Sequence, residues 1–271
     1  MGRVNPIELR TPLPQWRLKA IRWAVVILFL TLWEVGSRSG VLDVYFFSMP
    51  SKVVHYGWLW LKDGTLVSHL SVTLAEAAVG LIIGLILGMT VGFLLASSPK
   101  LNVVLQPFIA IMNAMPRIAF APLIILWFGL GFLSKVVIVI SLVFFIVFFN
   151  TYRGFNEVSP IVLKNARVLG ATRKQILRHI YLPATVSWIF ASIRVSVGFA
   201  IIAAIVGEYI SASAGIGFLI DNAQSNFDAT GVMTGLAVLT CVVALLDPIL
   251  QRVEKYFLKW QIVHQPSGGS V

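Results

Sequence analysis

The chain has 271 residues, 58% of them hydrophobic and 12% charged, with a net charge of +10 and a mean hydropathy of +0.89. Ordinary soluble domains are about 45–50% apolar and about 25% charged, so one aqueous core cannot hide this much apolar surface, and a soluble enzyme is excluded. The single cysteine, Cys241, excludes an internal disulfide framework and a thiolate zinc cluster.

The apolar residues come in long uncharged blocks, the pattern of membrane helices. A β-barrel would instead alternate apolar and polar residues along short strands. In chain order the blocks predict six spans, at about 22–36, 74–97, 104–131, 136–149, 184–210 and 232–250. The first carries Glu34 and no small-residue cleavage site follows it, so it reads as a retained span rather than a signal peptide. Segment 50–64, with Tyr56, Trp58 and Trp60, reads as a short helix in the membrane interface or as a contact for an outer protein. The third block carries Pro107, Pro116, Arg117 and Pro122. As one straight helix it would reach about 42 Å, longer than the hydrocarbon core, so a kink or break is predicted near Pro116. The expected organisation is a cytoplasmic segment 1–21, a transmembrane domain 22–250 and a cytoplasmic tail 251–271.

Charge tests the orientation. With the N-terminus inside, fifteen of the 21 Lys and Arg fall in segments 1–22, 98–103, 153–183 and 251–271. Only Arg38, Lys52, Lys62 and Lys135 fall outside, and Arg117 and Arg194 lie within spans. This is the positive-inside asymmetry, and it places both termini in the cytoplasm. The basic balance follows from topology and calls for no nucleic-acid partner.

Segment 153–183 is the long cytoplasmic loop. Ser159-Pro160 predicts a helix start, with a capping hydroxyl and proline at the first helical position. Gly170 suits the left-handed residue that closes a helix. Thr172 and Gln175 predict a capping box for a second helix, carrying Ile176, Leu177, Ile180 and Tyr181 and stopped by Pro183. The result is a basic, amphipathic helix-turn-helix. It either rests on the lipid surface or enters a groove on a cytoplasmic partner.

Span two carries Gly80, Gly84, Gly88 and Gly92, one every four residues, which permits close helix approach in lipid. The approach is either within one subunit or across a dimer seam. Glu76 precedes this ladder near the outer interface. Arg117 is costly at mid-bilayer unless it faces protein, water or headgroups; it lines an anion path or anchors the cytoplasmic edge. Glu208 ends span five and either braces the following small-residue turn or joins an outer gate. Asn113 and Asn150 line the path or pair across helices. Arg194 snorkels inward, Asp247-Pro248 marks the inner end of span six, and Cys241 reads as a packed side chain.

The spacing Ala166, Gly170, Ile180, Leu182, Pro183 resembles the cytoplasmic loop motif of binding-protein-dependent ABC importer permeases: Glu-Ala-Ala, three residues, Gly, nine residues, Ile-x-Leu-Pro. Lys164 and Asn165 stand where Glu-Ala is usual. The run from Pro116 to Leu123 with Trp127-Phe128-Gly129 resembles the third span of the nitrate/sulfonate/taurine/bicarbonate branch. Asn150-Thr151, Gly207-Glu208, Gly215-Ile216-Gly217 and Trp260 extend the likeness over most of the chain.

The resemblance implies an all-α, type I ABC importer-like bundle in a bacterial inner membrane, paired as a homodimer. It implies two ATP-binding subunits carrying ATP and Mg, an external substrate-binding protein, and no cofactor on this chain. Lys164, Asn165, Ala166, Gly170, Ala171, Ile180, Leu182 and Pro183 would couple to the ATPases. A small anion such as nitrate, sulfonate, taurine or bicarbonate would be the solute. The sequence has no G-x-x-x-x-G-K-[ST] and no H-E-x-x-H, so no seat for ATP hydrolysis or zinc catalysis is visible. An ion-gradient transporter, the alternative, would show inverted repeats with matching broken helices, and none is evident.

Overall fold

The computed structural model describes residues 14–211 and 213–257, and these are helical with no strand among them. Helix α1 spans Gln15–Arg38, α2 Val44–Phe47, α3 Pro50–Lys62 and α4 Thr65–Ser97. They are followed by α5 (Pro99–Ala114), a 3₁₀ turn (Arg117–Phe120), α6 (Ala121–Phe128) and α7 (Phe132–Asn156). The second half holds α8 (Pro160–Val168), α9 (Arg173–Ile176), α10 (Leu182–Ile210), α11 (Ile216–Ser225) and α12 (Ala229–Phe257). Among the described residues, four helices are long and apolar enough to cross a membrane: Thr65–Ser97, Phe132–Asn156, Arg173–Ile210 and Ala229–Glu254.

The core is a layer in which α7 lies between α4 and α10. Lipid tails are as apolar as leucine, so close packing rather than a hydrophobic drive must hold such helices together. The sequence supplies it with small residues. The ladder Gly80, Gly84, Gly88, Gly92 faces α7 of the same chain, where a Cβ on Gly80 would come within 2.5 Å of Val139 and one on Gly88 within 2.7 Å of the Phe144 carbonyl. On the facing helix, Ser192, Ser196, Ala200, Ala203, Ala204 and Gly207 are buried. Val139, Val143 and Val147 are fully enclosed between the two.

The third block is broken where expected. Met115 is extended, as the residue before a proline tends to be, and the chain resumes as the 3₁₀ turn and then the eight-residue α6. α5 begins earlier than the block, at Pro99, and its 16 residues reach only about 24 Å, short of a ~30 Å hydrocarbon core. α1 lies at the periphery against α2 and α3, with apolar residues such as Ile27 and Phe29 exposed. α3 buries Val53 and Trp60, leaves Trp58 exposed, and rests on α12, where the Thr234 hydroxyl donates to the Val53 carbonyl.

One sequence expectation fails on α12. The helix itself runs on past Asp247-Pro248 to Phe257, with Pro248 inside it. Cys241 is exposed rather than packed, because it lies on a face that none of the described residues covers. Trp260 and the rest of the tail beyond 257 lie outside the described residues.

Candidate functional site

The 153–183 segment emerges from the end of α7. Pro160 opens α8 at its first position, while the Ser159 hydroxyl makes no capping bond. Proline has no N–H to satisfy, which lowers the demand for a cap there. At the other end the Gly170 N–H donates to the Arg167 carbonyl (3.0 Å) and the Ala171 N–H to the Ala166 carbonyl (2.9 Å). This is a Schellman closure. It explains the spacing of Ala166 and Gly170: one supplies the third-from-last carbonyl, and the other takes the left-handed conformation, with φ +80°.

Thr172 then caps α9, accepting from the Gln175 N–H, and the Gln175 side chain accepts the Thr172 N–H in return. The expected capping box is therefore formed. Pro183 does not stop the second helix, contrary to expectation. Residues 177–181 widen into a π turn in which the Leu182 N–H donates to the Leu177 carbonyl, and the helix continues into α10. The wider turn accommodates the proline's missing donor and its ring. One helix thus runs without interruption from Arg173 to Ile210, joining the loop to a core span.

The loop is also fastened to the other core spans. Tyr181 stacks on Phe155 of α7 with ring centroids 3.9 Å apart. Arg173 reaches the Ser97 carbonyl at the end of α4 (3.5 Å), and Ile176 is buried. Outward, the loop presents apolar surface: Val168 and Leu169 are each 86% exposed. Lys164 and Asn165 are exposed on α8. Against the turn and the second helix lies a hollow of about 380 Å³ lined by Leu169, Gly170, Ala171, Gln175, Ile176, His179 and Ile180.

The candidate path residues are not gathered into one site. Arg117 follows the break in the third segment. Its Nη2 donates to the Met112 carbonyl (2.7 Å), and its guanidinium lies 4.4 Å from the Phe145 ring centroid, a cation–π arrangement. Phe145 is midway along α7 (Phe132–Asn156), so the guanidinium is level with the middle of that helix. Asn150 donates to the Ile146 carbonyl (2.7 Å) one turn earlier in its own helix, and not across to a neighbour. Asn113 lies on α5, and its side chain is outside the described residues. Arg194 pairs with Asp247 of α12 (3.0 Å), a contact between half-exposed side chains, with Glu254 at 3.9 Å.

Glu208 sits at the opposite end of the bundle from the loop, and its Oε2 accepts the Gly217 N–H (2.7 Å). A Cβ on Gly215 would fall 2.1 Å from the Glu208 carboxyl carbon, and Gly215 holds φ +110°, so both space and backbone require glycine there. The Thr73 hydroxyl accepts the Ile216 N–H (2.9 Å) and His69 Nδ1 the Gly215 N–H (3.0 Å). Sequence reasoning missed Lys135, which it counted as an outside loop charge. Lys135 is 1% exposed, and its ammonium donates to the Leu130 and Ser211 carbonyls. Glu76 is buried beside it at 3% exposure. A lysine at the start of one span and acids near the corresponding ends of two others was the available signal.

A long-helix bundle with a broken third segment and a braced two-helix loop is the architecture of a polytopic membrane protein. Residues 80–261 match the family described as the binding-protein-dependent transport system inner membrane component, and the chain belongs to that family. It is similar to the riboflavin transport system permease protein RibX of Chloroflexus aurantiacus, at 30% identity over 87% of this chain and 88% of that one. It is also similar to the taurine transport system permease protein TauC of Escherichia coli, at 26% identity over 95% and 96% respectively. The fold is shared with an inward-facing structure of the MetNI methionine ABC transporter, at a TM-score of 0.60 and 20% identity over 73% of this chain and 96% of that one. The protein is a non-enzymatic ABC transporter permease subunit, and ATP hydrolysis belongs to a separate subunit.

Proposed function

We propose that this permease is driven through the 160–183 loop by separate ATPase subunits carrying ATP and Mg, and that it forms the solute path with a second copy of itself. Alternating access requires that motion of a docked loop reach the spans without loss. The observation that carries the reading is the uninterrupted helix from Arg173 to Ile210, braced by the Gly170 closure and the Thr172 cap. Lys164, Asn165 and the exposed Val168 and Leu169 face the partner, while Ala166, Gly170, Ala171, Ile180, Leu182 and Pro183 shape the handle. A substrate-binding protein delivers the solute on the opposite side. The setting is a bacterial inner membrane with both termini cytoplasmic, as the distribution of Lys and Arg supports.

The solute is a small anion of the sulfonate, taurine, nitrate or bicarbonate kind. Arg117 supports this reading, since a cation level with the middle of α7 attracts negative charge. Asn113 and Asn150 are its companions along the path, whereas Glu208, enclosed at the far end of the bundle, braces the turn after α10. The test is Gly170→Pro in the reconstituted transporter. Proline cannot hold φ +80° and donates no hydrogen bond to Arg167, so membrane insertion persists while ATP hydrolysis proceeds without transport. Wild-type transport by this variant would refute the coupling role.

A further inference from the structure

The cluster of Glu76, Lys135 and Glu208 lies in the end of the bundle remote from the ATPase-facing loop. It brings two acids and one base together from α4, α7 and α10, at 3%, 1% and 1% exposure. The two carboxyl groups act directly on one another, and Lys135 acts on both. Two oxygens are left over: Glu76 Oε2 and Glu208 Oε1 are buried and accept from no donor. The other Glu208 oxygen is committed to the Gly217 N–H, and the Lys135 ammonium is committed to two backbone carbonyls.

We infer that Glu76 and Glu208 share a single proton, making this a buried proton-binding site that clamps the turn between α10 and α11. Two ionised carboxylates have only acceptors, so their facing oxygens would remain unsatisfied and would repel. One proton turns the pair into donor and acceptor. It also reduces the cluster to one carboxylate and one ammonium, the neutral combination that a water-poor site tolerates best.

The groups that bear on the pair are Lys135 from α7 and, on Glu208, the Thr73 hydroxyl from α4. His69 Nδ1, also on α4, accepts the Gly215 N–H. Among the described residues, α11 and the turn bring no further charge to the pair. The clamp holds the Gly215, Ile216 and Gly217 N–H groups and the Ser211 carbonyl from three different helices. The proton therefore secures the piece of backbone that closes this end of the bundle.

The test uses the full chain in lipid nanodiscs at neutral pH. The infrared spectrum of the wild type contains a protonated-carboxyl band that shifts in D₂O, and Glu76→Gln abolishes it. Absence of that band from the wild type, or its persistence undiminished in Glu76→Gln, overturns the proposal. A second readout separates the proton from mere packing. A folded chain that holds a proton its unfolded form releases loses stability as pH rises. The melting temperature of the wild type therefore falls relative to that of Glu76→Gln as pH is raised, because the glutamine amide donates at every pH. Parallel pH profiles for the two proteins contradict the shared proton.

Discussion

The packing of α4 on α7 makes a sharp prediction at Gly88. A methyl group there would sit 2.7 Å from the Phe144 carbonyl oxygen and 2.9 Å from Val147 Cβ, against a favourable separation of about 3.5–4.0 Å. The nearest obstacle is backbone, which cannot rotate away, so the helices must part by about 1 Å or the core must distort. Overpacking of this kind costs about 1–3 kcal/mol. At about 2–4 °C per kcal/mol for a chain of this order, Gly88→Ala lowers the apparent melting temperature by roughly 2–12 °C. Gly198→Ala is the control, since Gly198 is also in a core helix but a methyl group added there would meet nothing within 4 Å; it leaves the melting temperature unchanged or slightly raised. The assay is thermal unfolding of both variants, purified identically in detergent. Equal melting temperatures would refute the claim that this ladder seats α4 on α7 of its own chain.

Other outcomes follow from the same geometry. Thr172→Ala removes the cap of α9 and costs about 0.5–2 kcal/mol locally, seen as faster proteolysis or hydrogen exchange confined to residues 170–181. Arg117→Gln lowers anion transport at unchanged expression, and Arg117→Lys restores part of it; full activity in Arg117→Gln removes this residue from the path. Arg194→Ala shifts stability by less than about 1 kcal/mol, because its ion pair with Asp247 joins half-exposed side chains and such pairs contribute little. A melting shift well beyond that would show the pair to be part of the core.

What could be read from the sequence was what local chemistry decides. Uncharged blocks give long helices in lipid, proline breaks the third block, and Gly170, Thr172 and Gln175 write the loop's turn and cap within a few residues. The failures arise from contacts between residues far apart in the chain. Lys135 looked like a solvated loop charge because its partners Ser211 and Glu208 lie more than seventy residues away, and only the packing of α7 on α10 brings them together. Pro183 looked like a stop because a proline forbids an ordinary α-turn. The π turn that accommodates it is secured by Tyr181 stacking on Phe155, which local sequence cannot announce. Asn150 was ambiguous and Cys241 was misread for the same reason: which face of a helix is covered depends on its neighbours.

If the 160–183 loop is the handle by which another subunit moves the spans, its tip must touch that subunit. The most direct measurement places a photoreactive amino acid at Leu169, which is 86% exposed, and illuminates the assembled transporter in its membrane. The expected product is a covalent adduct with the ATPase subunit, in better yield than from a position on the outward face of α12. Adducts with lipid alone, in a complex shown to contain the ATPase, would contradict the coupling role.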